Sequence, residues 1–285
     1  MLMIMNDALE LGELEVRLKT LWGARSMPFF KGSQMPYQTG QLKNLSSQLQ
    51  QLLGISASGV LVGCNGVGKT VLMEQVLSLL PEKLFSITKL THSSLTASDL
   101  VRSLCYAMGV EPQLRRSDNI HQIHHRWSEG GTHPLLVMDE AQNLSASALE
   151  ELRLLGCPCS KKEVHCFSLL LIGDENLLAR LQMGINQSLR SRLGFCLSLS
   201  PFSPEESRAY IDSRWKEVGV SLSPIEEAAS LLVHQASGGI ARLINHLLQL
   251  AITQAIGLNE RQITINHIQN ALIHLPWITP LPAKK

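Results

Sequence analysis

The stretch "GVLVGCNGVGKT", residues 59–70, constrains the fold more than any other part of the chain. An apolar run passes at once into a glycine-rich turn and then into "VLMEQVLSLL", which reads as strand, loop and helix in immediate succession. Gly63, Gly66 and Gly68 keep side chains out of the turn. The backbone N–H groups from Asn65 through Val67 and Gly68 can then close around phosphate oxygens at a helix N-terminus. Lys69 is placed to reach the β- and γ-phosphates of ATP, and the Thr70 hydroxyl to bind Mg²⁺.

A second constraint sits further along. "PLLVMDE" reads as a buried strand ending in two carboxylates. Asp139 suits the Mg²⁺ ion, directly or through water, and Glu140 suits a base that polarises water for attack on the γ-phosphate. A small-molecule kinase has no use for the second carboxylate, so the pair points to hydrolysis. "LLLIGDENL" ends a further strand at Asp174, either beside the γ-phosphate or as the N-cap of the next helix. Arg190 and Arg192 precede the last strand, either reaching toward a neighbouring subunit's nucleotide or lying on a solvated helix face. In "SGGIARLINHL", Arg242 follows a glycine pair at the start of a helix and approaches the phosphates if that part folds over them.

Around these motifs, short apolar strands alternate with helices over residues 41–200, which implies a mostly parallel sheet of about five strands covered on both faces. Residues 1–40 form a leucine-spaced helix, about 6–22, and an arm punctuated by Gly and Pro. From Pro201 the pattern becomes wholly helical up to residue 276. Two starts repeat one another there, Ser203-Pro204 with Glu206 and Ser223-Pro224 with Glu226, each reading as a capping box with Pro at the first helical position. Residues 277–285 form a Pro-rich tail ending in two lysines. The fold class is α/β, a P-loop core followed by a small α-helical lid.

The 285 residues are 45% hydrophobic and 17% charged, which marks a folded chain, and the formal charge of +1 argues against a strongly basic surface overall. No stretch reads as a signal peptide or a bilayer span, and the six cysteines read as reduced thiols, so a cytoplasmic protein with no membrane partner is expected.

Taken together, "GCNGVGKT", "LLVMDEAQNL", "LLLIGDENL", "SLRSRLGFCLSLSPFSPEESRAYIDSRW" and "SGGIARLIN" resemble the AAA+ ATPases, in particular the ExeA-like branch with its secretion-associated members and its transposition ATPases of the TnsC, TniB and MuB type. The resemblance implies an AAA+ core and lid working as a homo-oligomeric ring or helical filament. By position it makes Lys69 and Thr70 the Walker A residues and Asp139 and Glu140 the Walker B pair. It puts Asp174 at sensor 1, Arg192 at the arginine finger with Arg190 as a second candidate, and Arg242 at sensor 2. Relatives carry an amide or hydroxyl where Asp174 stands, and many carry a second arginine where Cys196 stands.

Secretion members resemble this domain followed by a membrane span and a cell-wall-binding region. A chain ending at Lys285 without them resembles the transposition group, in which ATP-bound subunits assemble on duplex DNA and recruit or stimulate a transposase. That implies DNA and transposition proteins as partners, with Lys89, Thr91 and His92 of "KLTHSSLTASD" as candidate phosphate contacts, or else as an ordinary surface loop. The rival readings are an ATPase assisting a secretion or envelope complex, and a nucleotide-gated switch. Cys157, Cys159, His165 and Cys166 supply enough ligands for zinc, but the C-x-C spacing is tighter than usual for zinc and favours free thiols. His121, His124 and His125 read as a polar helix face.

Overall fold

A computed structural model of the chain describes residues 11–29, 37, 39–91, 95–156 and 167–278. These form two compact units. One is Gly40–Ser200, and the other joins the described residues up to Thr39 with those from Pro201 onward. The first helix, α1 (Leu11–Trp22), and the described residues that follow it up to Thr39 therefore belong with the helical unit.

The α/β unit runs α2 (Gly40–Gly54), β1 (Gly59–Val62), α3 (Lys69–Leu79), β2 (Phe85–Leu90), α4 (Ala97–Ala107), α5 (Arg116–Glu129), β3 (His133–Met138), α6 (Ala146–Leu155), β4 (Ser168–Gly173), α7 (Glu175–Gln182), α8 (Gln187–Arg190) and β5 (Phe195–Ser198). All five strands are parallel, in the order β2-β3-β4-β1-β5. The fold is the α/β arrangement the alternation implies. Every residue of β1 and β4 is buried, which is why both read as unbroken apolar runs. At the edges, β2 mixes buried and open positions and β5 has only half-buried and exposed ones, as strands with one free side do.

Side chains alternate across each strand. Val60, Val62, Leu136, Met138, Leu169 and Leu171 meet Leu100, Leu104, Ile123 and Leu152 from α4, α5 and α6 in one core. Leu61, Leu170 and Ile172 point the other way and are equally buried, so both faces are covered. Because the strands run in one direction, the residues that follow β1, β3 and β4 emerge at the same edge of the sheet. Val62 pairs with Gly173 and Met138 with Leu171, so Gly63 and Asp174 lie level, and Asp139 leaves its strand two residues earlier at the same edge. In parallel α/β sheets this carboxyl edge is where ligands bind.

The helical unit contains α1, α9 (Pro204–Glu217), α10 (Glu227–Ser237), α11 (Ala241–Gly257) and α12 (Ile265–Ile273). Its centre is Trp215, fully buried and edge-on to Trp22 at 5.5 Å and to Phe29 at 6.3 Å. Leu18 of α1 is buried as well, so the leucine spacing of the first helix serves this core. Ser203 caps α9 in a full capping box with Glu206, and Pro204 takes the first helical position.

The matching start at Ser223 does not form. Ile225 pairs with Ile263 in a parallel bridge, and the Ile263 N–H donates to the Pro224 carbonyl at 2.8 Å. Residues 224–226 are thereby held extended, the helix begins at Glu227, and the Ser223 hydroxyl is left without a partner. Tertiary pairing overrides the local signal.

Candidate nucleotide site

The loop between β1 and α3 is built on glycine geometry. Gly66 has φ of 92° and Gly68 φ of 108°, both outside the range that other residues adopt readily. Gly68 is the N-cap of α3, and no side chain caps the helix there. A Cβ placed on Gly68 would meet nothing within 4 Å. The first N–H groups of an 11-residue helix thus face an open, side-chain-free approach suited to an anion.

Lys69 is only 5% exposed, and its Nζ donates to the Gly63 carbonyl at 2.7 Å, the Cys64 carbonyl at 3.2 Å and Asn65 Oδ1 at 3.4 Å. A buried ammonium resting on neutral oxygens is a group in search of an anion. Burial pushes the Cys64 thiol up, outweighing the pull of Lys69, so the loop keeps a neutral thiol beside the Lys69 ammonium.

The Thr70 hydroxyl donates to Asp139 Oδ2 at 3.1 Å, and Asp139 Oδ1 accepts from the Glu140 N–H at 2.9 Å. One hard-oxygen cluster therefore joins the start of α3 to the end of β3, and both oxygens fit a cation such as Mg²⁺. Glu140 has φ of 52° and ψ of 38°, a left-handed conformation in a non-glycine residue. This sharp turn opens a 3-10 turn over Ala141–Asn143 and re-aims the chain away from the sheet. Strain of this kind costs about 1–3 kcal/mol, persists only when surroundings enforce it, and clusters at functional sites.

Two residues in the vicinity escape the sequence reading. Gln142 Nε2 donates to Glu140 Oε2 at 2.6 Å, and Gln142 Oε1 accepts from the Asp174 N–H at 3.4 Å. The Arg180 guanidinium, from α7, donates to the Gln142 carbonyl. No period of helix or strand announces these contacts. They depend on a 3-10 turn and on β4 lying beside β3.

Asp174 follows β4 at the predicted edge, but its carboxylate is engaged locally. It caps α7 by accepting from the Asn176 N–H at 2.9 Å and from Asn176 Nδ2 at 3.0 Å. Arg192 donates to the Arg153 carbonyl at 2.6 Å, where it covers the end of α6, whereas Arg190 is exposed and reaches the Gln182 carbonyl at 3.3 Å. Arg242 lies exposed in the first turn of α11, in the helical unit.

Lys89 pairs with Glu74 at 2.9 Å and Thr91 is exposed, while His92 lies outside the described residues. Cys157, Cys159, His165 and Cys166 lie outside them too. On α5, His124 stacks edge-on with Trp127 and His125 faces Glu129 at 3.3 Å. Among the described residues no helix is long and apolar enough to cross a membrane.

Residues 56–181, from just before β1 to the end of α7, match the family described as AAA domain. That part of the α/β unit is similar to an AAA domain. The chain is similar to the general secretion pathway protein A of Aeromonas hydrophila, 28% identical over 77% of this chain and 41% of that protein. It is also similar to the ATP-dependent target DNA activator B of Escherichia phage Mu, 26% identical over 79% of this chain and 68% of that protein. These two matches agree with the resemblance to an ExeA-like ATPase near the MuB type. The chain spans about two fifths of the secretion protein's length. In fold it is similar to Cdc6p from Pyrobaculum aerophilum, with a TM-score of 0.71, 17% identity, and coverage of 87% of this chain and 70% of that one.

Proposed function

We propose that this ATPase regulates DNA transposition, assembling in its ATP-bound form as a ring or helical filament on duplex DNA and recruiting or activating a transposase there. The observation that carries the reading is the similarity to the phage Mu target DNA activator, which extends over 79% of this chain and 68% of that protein. The matched length takes in most of the activator, whereas it takes in 41% of the secretion protein.

In this reading Lys69 and the bare N–H groups of the loop bind the triphosphate. Thr70 and Asp139 would hold Mg²⁺, which neutralises phosphate charge. Glu140 accepts a proton from water as it attacks the γ-phosphate, and hydrolysis then releases or redistributes the assembly. Arg190 and Arg192 are the candidates for a neighbouring subunit's nucleotide. Arg192 must first leave the Arg153 carbonyl, and the exposed Arg190 the Gln182 carbonyl. Arg242 is the lid's candidate for the phosphates. Lys89, Thr91 and His92 are candidate DNA contacts. The Lys89 pair with a 61% exposed Glu74 is weak enough for a DNA phosphate to replace it.

Imaging the protein with duplex DNA, in ATP and Mg²⁺ or without nucleotide, tests the proposal directly. ATP-dependent rings or filaments on DNA are expected, with affinity falling as salt rises. Particles indifferent to DNA in both conditions would sink it and bring forward the reading as an ATPase of a secretion or envelope complex.

A further inference from the structure

The Glu140 carboxylate is held from one side. Its Oε2 accepts from Gln142 Nε2 at 2.6 Å, and the other end of the same amide meets the Asp174 N–H at 3.4 Å. The amide has one workable orientation. Turned over, it would set its oxygen against the carboxylate and its NH₂ against an N–H. Gly173 makes room for it, since a Cβ there would lie 2.7 Å from Gln142 Oε1. Arg180 fixes the backbone of the same residue by donating to its carbonyl. One side chain thus spans the ends of β3 and β4.

We propose that Gln142 is a positioning residue that ties the Glu140 carboxylate to the end of β4. Glu140 leaves the strand in a left-handed turn, and the Gln142 amide limits the rotation left to its side chain. Oε1 of Glu140 stays available for water while Oε2 is occupied. The bridge also accounts for an acidic residue at position 174. There the backbone N–H faces Glu140 through Gln142, and the carboxylate serves α7 alone. A shift of β4 against β3 would stretch one of the two bonds and so move the base. This proposal rests on the reading of Glu140 as base.

Steady-state ATP hydrolysis by the full chain tests it, with Gln142→Met, Gln142→Glu, Glu140→Gln and the double variant Gln142→Met/Glu140→Gln. Methionine keeps the length of the side chain and removes both polar ends. It should lower kcat about ten- to thirty-fold, the scale of a hydrogen bond to a charged group, while KM for ATP stays within about two-fold. Gln142→Glu should lower kcat at least as far, because it sets two carboxylates face to face. The double variant should be no slower than Glu140→Gln alone.

Where the methionine variant does not fold, Gln142→Asn replaces it. It keeps the amide but is too short to span both partners, and the same loss is expected. Wild-type kcat in Gln142→Met beside an inactive Glu140→Gln overturns this proposal only. A joint fall of kcat, ATP affinity and melting temperature overturns it in favour of a structural role. Wild-type turnover in Glu140→Gln overturns the base assignment and this proposal with it.

Discussion

The helical unit and the nucleotide edge of the α/β unit use buried polar groups in opposite ways. In the helical unit the buried Ser207 shares its hydroxyl with His234 Nδ1 at 2.8 Å, and the buried Tyr210 donates to Asn245 at 2.8 Å. Each of these contacts joins one helix to another. Left-handed turns there fall on glycine, as at Gly238 and Gly239, or on Asn259, a residue type that tolerates them. In the α/β unit the buried Lys69 and Asp139 crowd one edge of the sheet beside a left-handed glutamate. Their bonds are to carbonyls and to a hydroxyl that a phosphate or a cation can replace. The contrast separates polar groups that hold a fold together from polar groups held ready by it.

The largest effect that would break the contrast is at Lys69. Lys69→Ala should lower ATP turnover at least about 100-fold, through loss of phosphate charge stabilisation, with little change in melting temperature. A loss of stability with retained turnover would put Lys69 in the same class as Ser207.

Gly239→Ala should do the reverse. Its Cβ would lie 2.1 Å from the Phe202 carbonyl oxygen at φ of 75°, so destabilisation of about 2–4 kcal/mol is expected by chemical denaturation. The smallest effect sharpens the comparison within one unit. Ser203→Ala removes a working cap and should cost about 1 kcal/mol, whereas Ser223→Ala removes a hydroxyl without a partner and should stay within about 0.5 kcal/mol. Equal losses at the two serines would mean that Ser223 caps a helix in solution.

Much of the site was legible because its parts are contiguous. A glycine-rich turn between an apolar run and a helical pattern has few structural meanings, and two carboxylates at a strand's end mark its exposed edge. The Ser203 cap was legible for the same reason. The matching pattern at Ser223 was not, because a bridge from Ile225 to the distant Ile263 decides it. The role of Asp174 was open in the sequence, and the structure engages its carboxylate at α7. Arg192 came before Arg190 as the arginine-finger candidate, and the structure ties Arg192 to the end of α6.

By itself, then, the sequence determined the order of strands and helices, the glycine-rich loop after β1 and the Asp139–Glu140 pair at the end of β3. Each of these depends on residues adjacent in the chain or repeated at a fixed period. Only the tertiary structure decided that α1 belongs to the core around Trp215, that Thr70 meets Asp139, and that Gln142 bridges Glu140 to Asp174. Those contacts join separate elements. Hydrogen bonds act over about 3 Å, and which groups come that close is set by strand register and packing, which no local pattern encodes.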